Sequence, residues 1–256
     1  MILNYFQLID LQARMKMKAQ ANKLILSYLW WVLEPLLLVC MFYVVFGFIL
    51  QRGGEDFFVF LIVGKITFMW FSKSVVSAST GITQNKGIIG QRALPKWIFP
   101  MVNIQESLYK SFFSFIIMFA IVLAKGYSIT WEWLQLIPLT LIMYVLICGV
   151  GILLSILVCI AKDFSNIISL AMLGLMFGSG VFWDVNKIQN QQLVDLLLTI
   201  NPVLTIISSY RDVIMYGRDV NFQSLLPATI ISSLLLVLSL YIMSKFDNKI
   251  TRMLFS

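Results

Sequence analysis

Residues 19–47 read AQANKLILSYLWWVLEPLLLVCMFYVVFG, and the fold turns on this stretch. It opens at the end of a basic, amphipathic N-terminus and closes in an apolar run interrupted only by Glu34-Pro35. That pattern describes a helix lying in the headgroup plane that turns into a membrane span. Upstream, Leu8, Leu11, Met15, Ala19 and Leu26 share one face of a helical wheel, with Arg14, Lys16, Lys18 and Lys23 at its sides and back. Lysines beside an apolar stripe can snorkel toward an anionic leaflet, so residues 1–27 are expected to form an interfacial helix. An ordinary soluble amphipathic helix is the competing reading.

The whole composition extends this reading. Of 256 residues, 60% are hydrophobic and 12% charged, and the mean hydropathy is +0.90. Soluble domains average about 45–50% apolar residues, so lipid must be the solvent for much of this surface. Apolar runs approach the roughly 20 residues that carry a helix across ~30 Å of hydrocarbon, without the alternation of a barrel strand. Six transmembrane helices are expected, at 28–50, 57–81, 101–124, 134–160, 164–182 and 225–243, in one all-α integral membrane domain. Between the last two, residues 184–224 hold two shorter apolar pieces divided by Asn201-Pro202. Pieces too short to span read as re-entrant or interfacial helices. Gly174 and Gly178, in GxxxG spacing, are a weak packing signal.

The net charge of +7 does not point to nucleic acid, because position decides its meaning. Arg14, Lys16, Lys18, Lys23, the connector with Lys86, Arg92 and Lys96, Lys162, and the tail with Lys245, Lys249 and Arg252 fall on one side. Arg52, Lys125, Lys187, Arg211 and Arg218 fall on the other, whose loops carry most of the acids. The positive-inside rule makes the first side cytoplasmic, with both termini inside. No cleavable signal peptide is expected, since the first long apolar run begins too late.

Little in the chain suggests catalysis. There is no His, and Cys40, Cys148 and Cys159 all lie in apolar runs, where they read as small buried hydrophobes rather than disulfides or metal ligands. No phosphate-binding glycine loop and no pair of carboxylates at catalytic spacing is present. Catalytic residues, metal and bound cofactor are therefore all expected to be none.

Charges at membrane depth cost ~2.5–3.5 kcal/mol even on insertion scales, so they are candidates for function. Glu106 and Lys110, four residues apart, can neutralise each other along one helix face. Lys65 and Lys73 are eight apart on roughly one side of the second span. They either line a positive path for an anionic substrate, or one snorkels while the other pairs with Glu106. Trp70, Phe71, Phe182 and Trp183 either offer flat faces to sugar rings or anchor the interface. The candidate substrate path is Lys65, Trp70, Phe71, Lys73 and Trp183.

Leu29-Trp30-Trp31-Val32-Leu33-Glu34-Pro35, then Phe46-Gly47, Trp70-Phe71, and Asn201-Pro202 leading to Tyr210-Arg211, occur in an order that resembles the permease subunits of type-2 ABC exporters for polysaccharides. Such exporters move O-antigen, capsular polysaccharide or teichoic acid across the bacterial cytoplasmic (inner) membrane. The resemblance implies a homodimer of six-span permeases, two separate cytoplasmic ATPase subunits that hold ATP and Mg, and a lipid-linked polysaccharide as substrate. It makes the connector 83–96 a cytoplasmic gate region and the N-terminal helix and the 161–165 turn ATPase contacts. Arg14, Lys16, Glu34, Lys86, Arg92, Lys162 and Asp163 are then candidates for coupling or gating. Residues 184–224 become the extracytoplasmic re-entrant cap, marked by Asn201, Pro202, Tyr210 and Arg211. One departure stands out: the family often has Arg-Asp where this chain has Lys162-Asp163, which keeps the charge but loses bidentate pairing. Rival readings are a type-2 permease for a drug or lipid, and a membrane enzyme acting on polyprenyl lipids, which would need interfacial acids or His that this chain lacks.

Overall fold

The computed structural model describes residues 2–22, 27–51, 54, 56–91 and 94–255. Among them the chain is helical throughout, with no strand. In order come α1 (Ile2–Ala21), α2 (Trp30–Phe42), α3 (Phe57–Ser79), α4 (Gly81–Gln84), α5 (Lys86–Gln91), α6 (Ile98–Ala124), α7 (Leu136–Ile160), α8 (Phe164–Gly178), α9 (Gln191–Ile200), α10 (Pro202–Ile214), α11 (Phe222–Lys245) and α12 (Asp247–Phe255). A seven-residue π-helix, Tyr43–Ile49, continues α2. Five of these segments, counting α2 with its π-helix and α7 with the turn that precedes it, are long and apolar enough to cross a bilayer.

α3 is the centre of the bundle. It packs on α6 and α7, α7 packs most extensively on α11, and α1 lies along α6. Most of α3 is buried, whereas α2, α6 and α11 each turn a broad apolar face outward. The small residues set the closest approaches. A Cβ on Gly149 of α7 would sit 2.7 Å from the Leu236 backbone nitrogen of α11, and one on Gly151 would sit 2.8 Å from Ala78 Cβ of α3. Gly174 and Gly178 have nothing of this kind: no described atom lies within 4 Å of where their Cβ would be. Among the described residues, no other helix packs closely against the Cα side of the GxxxG pair.

The motif Trp30-Trp31-Val32-Leu33-Glu34-Pro35 now has a local explanation. Pro35 has no N–H, so the Trp31 carbonyl four residues earlier loses its helical donor. Ser114 of α6 supplies the replacement, its hydroxyl donating to the Trp31 oxygen at 3.0 Å. The Trp31 ring packs edge-on against Tyr28 (5.0 Å) and beside Phe113 (5.7 Å), which docks α2 on α6. In lipid a freed carbonyl has no water to turn to, so the serine is needed.

Several expectations are revised. The expected span 164–182 contains only α8, 15 residues ending at Gly178, or about 22 Å at 1.5 Å per residue, short of the ~30 Å core. The chain turns at Gly180, whose φ of +67° suits glycine. α6 starts at Ile98, ahead of the expected 101, because Pro100 falls in its first turn, where no N–H is needed. On α1 the residues buried against α6 are Ile9 and Ala13, packed with Ile98 and Val102, while Leu11 and Met15 point outward. α12 is an additional element: Ile250 and Leu254 pack with Ile82 and Ile89 of the connector, and Lys96 forms a 2.7 Å ion pair with Asp247. Lys23, Leu26, Arg52 and Arg92 lie outside the described residues.

α9 and α10 meet at a 110° bend, each too short to cross alone. Asn201 makes the corner: its Oδ1 accepts the Leu204 N–H at 3.1 Å, while its Nδ2 donates to the Gly178 carbonyl (3.2 Å) and Ser179 Oγ (3.1 Å). Pro202 starts α10, where its fixed φ is favourable. Tyr210 is buried with its hydroxyl 2.6 Å from Thr140 Oγ1 of α7. Arg211 is buried too. Its guanidinium donates to the carbonyls of Phe60 (3.2 and 3.1 Å), Gly180 (2.6 Å) and Val181 (3.0 Å), and it lies 3.4 Å over the Phe60 ring. It joins α10 to α3 and to the turn after α8.

Three outcomes follow for the folded chain in detergent. Ser114→Ala is expected to cost about 1–3 kcal/mol by orphaning the Trp31 carbonyl, with Ser114→Thr close to wild type; equal unfolding midpoints for all three would contradict this. Arg211→Lys, which cannot serve the three carbonyls together, should cost at least about 2 kcal/mol. Gly64→Ala should be similarly damaging, because its Cβ would lie 2.1 Å from the Arg211 Nη2 atom.

Candidate functional site

A groove of about 760 Å³ lies between α2, α3 and α8. Lys65 and Lys73 both line it, so the structure brings these two predicted residues together. Ser72, Ser77, Thr80, Ser165, Asn166 and Ser169 add hydroxyls and an amide, and Leu38, Phe42 and Met176 supply apolar wall. No carboxylate lines the groove among the described residues. One end lies at Gln84 and Ser165, beside the basic connectors, and the other at Lys65 and Phe42.

The two lysines differ in their partners. Lys73 forms a 2.7 Å ion pair with Glu34, both side chains partly exposed. Glu34, a candidate for coupling or gating, is thus met by α3 of its own chain. The expectation that Lys73 or Lys65 pairs with Glu106 is corrected as well: Glu106 holds Lys110 at 2.5 Å along α6, the intrahelical pair its spacing predicts. Lys65 is buried, its Nζ 2.9 Å from the Met176 sulfur and 4.9 Å from the Phe42 ring centroid.

Beyond Phe42 the groove is closed by rings. Phe182 packs on Phe42 (4.8 Å), on Phe46 (4.8 Å, interplanar 20°) and on Phe177 (5.2 Å). On the far side of Phe182 is a second cavity of about 740 Å³, lined by Phe57, Trp183, Asp184, Lys187 and Tyr216 among others. Trp183 belongs to that cavity and not to the groove; its indole N–H donates to the Phe177 carbonyl at 2.7 Å. Trp70 and Phe71 line neither large cavity. Both are buried in the core of α3, Trp70 edge-on to Phe115 at 5.7 Å. Both point to the packed side of α3, away from the side that walls the groove.

The coupling candidates sit on α1, on α2, at the start of α5 and in the turn after α7. Asp10 of α1 accepts from the Tyr109 hydroxyl and pairs with Arg14 at 3.0 Å. The tyrosine, ahead of the arginine, holds the Asp10 carboxyl below the usual carboxylate range. Lys16 donates to Asn103 Oδ1 at 2.8 Å, and Asn103 Nδ2 donates to the Ser77 carbonyl at 2.7 Å. Arg14 and Lys16 are therefore engaged with α6, and through Asn103 with a residue that lines the groove. Lys86 begins α5 with an exposed side chain, and Lys162 and Asp163 are exposed in the turn between α7 and α8. Sequence reasoning missed Asp10, Tyr109 and Asn103; the weak signal was their placement one helical repeat from charged neighbours.

Chemically, the groove offers cations and hydroxyls on an apolar wall. It holds no nucleophile–base pair, and no cluster of three metal-ligating side chains occurs among the described residues. The Glu34–Lys73 pair should contribute a coupling of about 0.2–1 kcal/mol in a double-mutant cycle with Glu34→Gln and Lys73→Met; a coupling near zero would show the pair to be incidental.

A sequence profile of the ABC-2 type transporter family matches residues 13–215. The O-antigen export system permease protein RfbA of Klebsiella pneumoniae is 26% identical over 252 residues, which cover 97% of this chain and 95% of that protein. A permease of the same name from Myxococcus xanthus is 23% identical over 86% of this chain and 85% of its own length. The polysialic acid transport protein KpsM of Escherichia coli is 25% identical over 79% of each. With α2 through α10 inside the matched region, this multi-pass membrane protein belongs to the ABC-2 type transporter family.

Proposed function

We propose that this chain is the membrane-spanning, non-enzymatic subunit of an ATP-driven exporter that moves a lipid-linked polysaccharide out across the bacterial cytoplasmic membrane. The observation that carries the reading is the groove: two lysines and a row of hydroxyls against an apolar wall suit a cargo with an anionic headgroup, sugar hydroxyls and a lipid tail. The relatives named for O-antigen export and polysialic acid transport supply the substrate class. Both termini and the basic connectors lie in the cytoplasm, and the α9–α10 pair caps the outer side.

The working unit is two copies of this chain with two cytoplasmic ATPase subunits, which hold ATP and Mg while this chain binds no cofactor. The groove is walled by one copy, and α8 leaves Leu170, Leu173 and Phe177 exposed beside the unpacked Gly174 and Gly178. A second copy across that face would close the groove into a channel. ATPase closure pushes on α1 and on the Lys162-Asp163 turn. The Lys16–Asn103–Ser77 hydrogen bonds then pass the movement through α6 to α3. The aromatic cluster at Phe182 is the constriction that such a movement has to part.

Deleting the chain in its own host should leave polymer inside the cell, and restoring it should return polymer to the surface only while the partner ATPase hydrolyses ATP. Surface polymer that persists without ATP hydrolysis, or copurification with no ATPase, would sink the reading.

A further inference from the structure

We propose that Lys65 is a membrane-depth anion site, at which its ammonium holds a phosphate, diphosphate or carboxylate group of the passing cargo. The inference rests on the exporter reading and adds the residue, its depth and the ligand chemistry. Of the two lysines in the groove, Lys73 is answered by Glu34 at 2.7 Å. Lys65 has no carboxylate partner among the described residues. Its close neighbours are the Met176 thioether at 2.9 Å and the face of Phe42 at 4.9 Å, neither of which carries a negative charge.

Lysine is almost never buried unless paired, and a charge inside a span costs several kcal/mol less only when something answers it. Lys65 is aimed into a groove of about 760 Å³, large enough for a headgroup. Lys73 lies eight residues along the same helix, about 12 Å away in rise, so an anion entering past Lys73 meets a second cation deeper in. The cation–π contact with Phe42 is an exchangeable partner: an oxyanion makes a stronger, charge-assisted bond with the ammonium. Phe42 also packs on Phe182, so the site stands directly beneath the aromatic constriction.

The test uses the full-length chain in lipid nanodiscs, without nucleotide. The probes are farnesyl diphosphate, farnesol and a short oligosialic acid. Binding is read by titration calorimetry for the wild type, Lys65→Met and Lys65→Arg, each first shown to be monodisperse with an unchanged unfolding midpoint. Farnesyl diphosphate should bind the wild type and Lys65→Arg alike and bind Lys65→Met at least about tenfold more weakly, the loss of one charged hydrogen bond. Farnesol should show no dependence on residue 65. If oligosialic acid instead carries the dependence, the anion belongs to the polymer rather than to its lipid linkage, and the site stands. If neither anion distinguishes Lys65→Met from the wild type, the site is overturned. That result leaves the exporter reading intact, because export from cells is a separate measurement.

Discussion

The guanidinium of Arg211 is the interaction on which the α10 end of this bundle depends. Two separate pieces of backbone, Phe60 of α3 and Gly180-Val181 after α8, direct three carbonyls at one buried side chain. It ties α10 and the turn after α8 to α3 by hydrogen bonds, in addition to their shared apolar core. In a membrane protein this matters more than in water, because a carbonyl left without a donor cannot be hydrated. Irregular backbone is tolerated at membrane depth only where protein satisfies it. Arg211, Asn201 and Ser114 are three versions of the same solution: a polar side chain from one helix completing the hydrogen bonding of another. Gly64 makes room for the first of them.

The same economy of polar groups separates structure from function in the groove. Glu106 with Lys110, Lys96 with Asp247, and Arg14 with Asp10 are charges answered within the chain. In the groove between α2, α3 and α8 Lys73 is answered by Glu34, whereas Lys65 has no carboxylate partner among the described residues and the wall is otherwise hydroxyls and apolar side chains. The groove's Lys65 end stops at packed phenylalanines, with a second cavity beyond. Cavity, constriction and cavity lie in series along the chain's long helices, as a path for an extended cargo requires.

The spans were legible because hydrocarbon imposes length and composition on any helix that crosses it. The Asn201-Pro202 corner was legible too, since each piece beside it was too short. What a span faces was not legible. Lipid is as apolar as a helix neighbour, so hydrophobicity does not separate a buried face from a lipid-facing one. Trp70 and Phe71 were misplaced for that reason. The length of α8 was hidden because Val181 and Phe182 continue the apolar run past a glycine that breaks the helix. α12 was hidden by Lys245, Lys249 and Arg252, which make its stretch look like a solvated tail, although Ile250 and Leu254 have helical spacing. The Glu34–Lys73 pair required the register of two helices, which one sequence does not contain.

The central claim is that cargo travels along the groove between α2, α3 and α8. Photo-crosslinking during ATP-driven export tests it most directly. A photoreactive residue is placed at Ser72 or Ser169 in the groove, or at Leu234 or Val237 on the outward face of α11. The account predicts polymer attached at the groove positions, only while ATP is hydrolysed, and none at the α11 positions. Polymer captured on α11, or equally at all four positions, would contradict it.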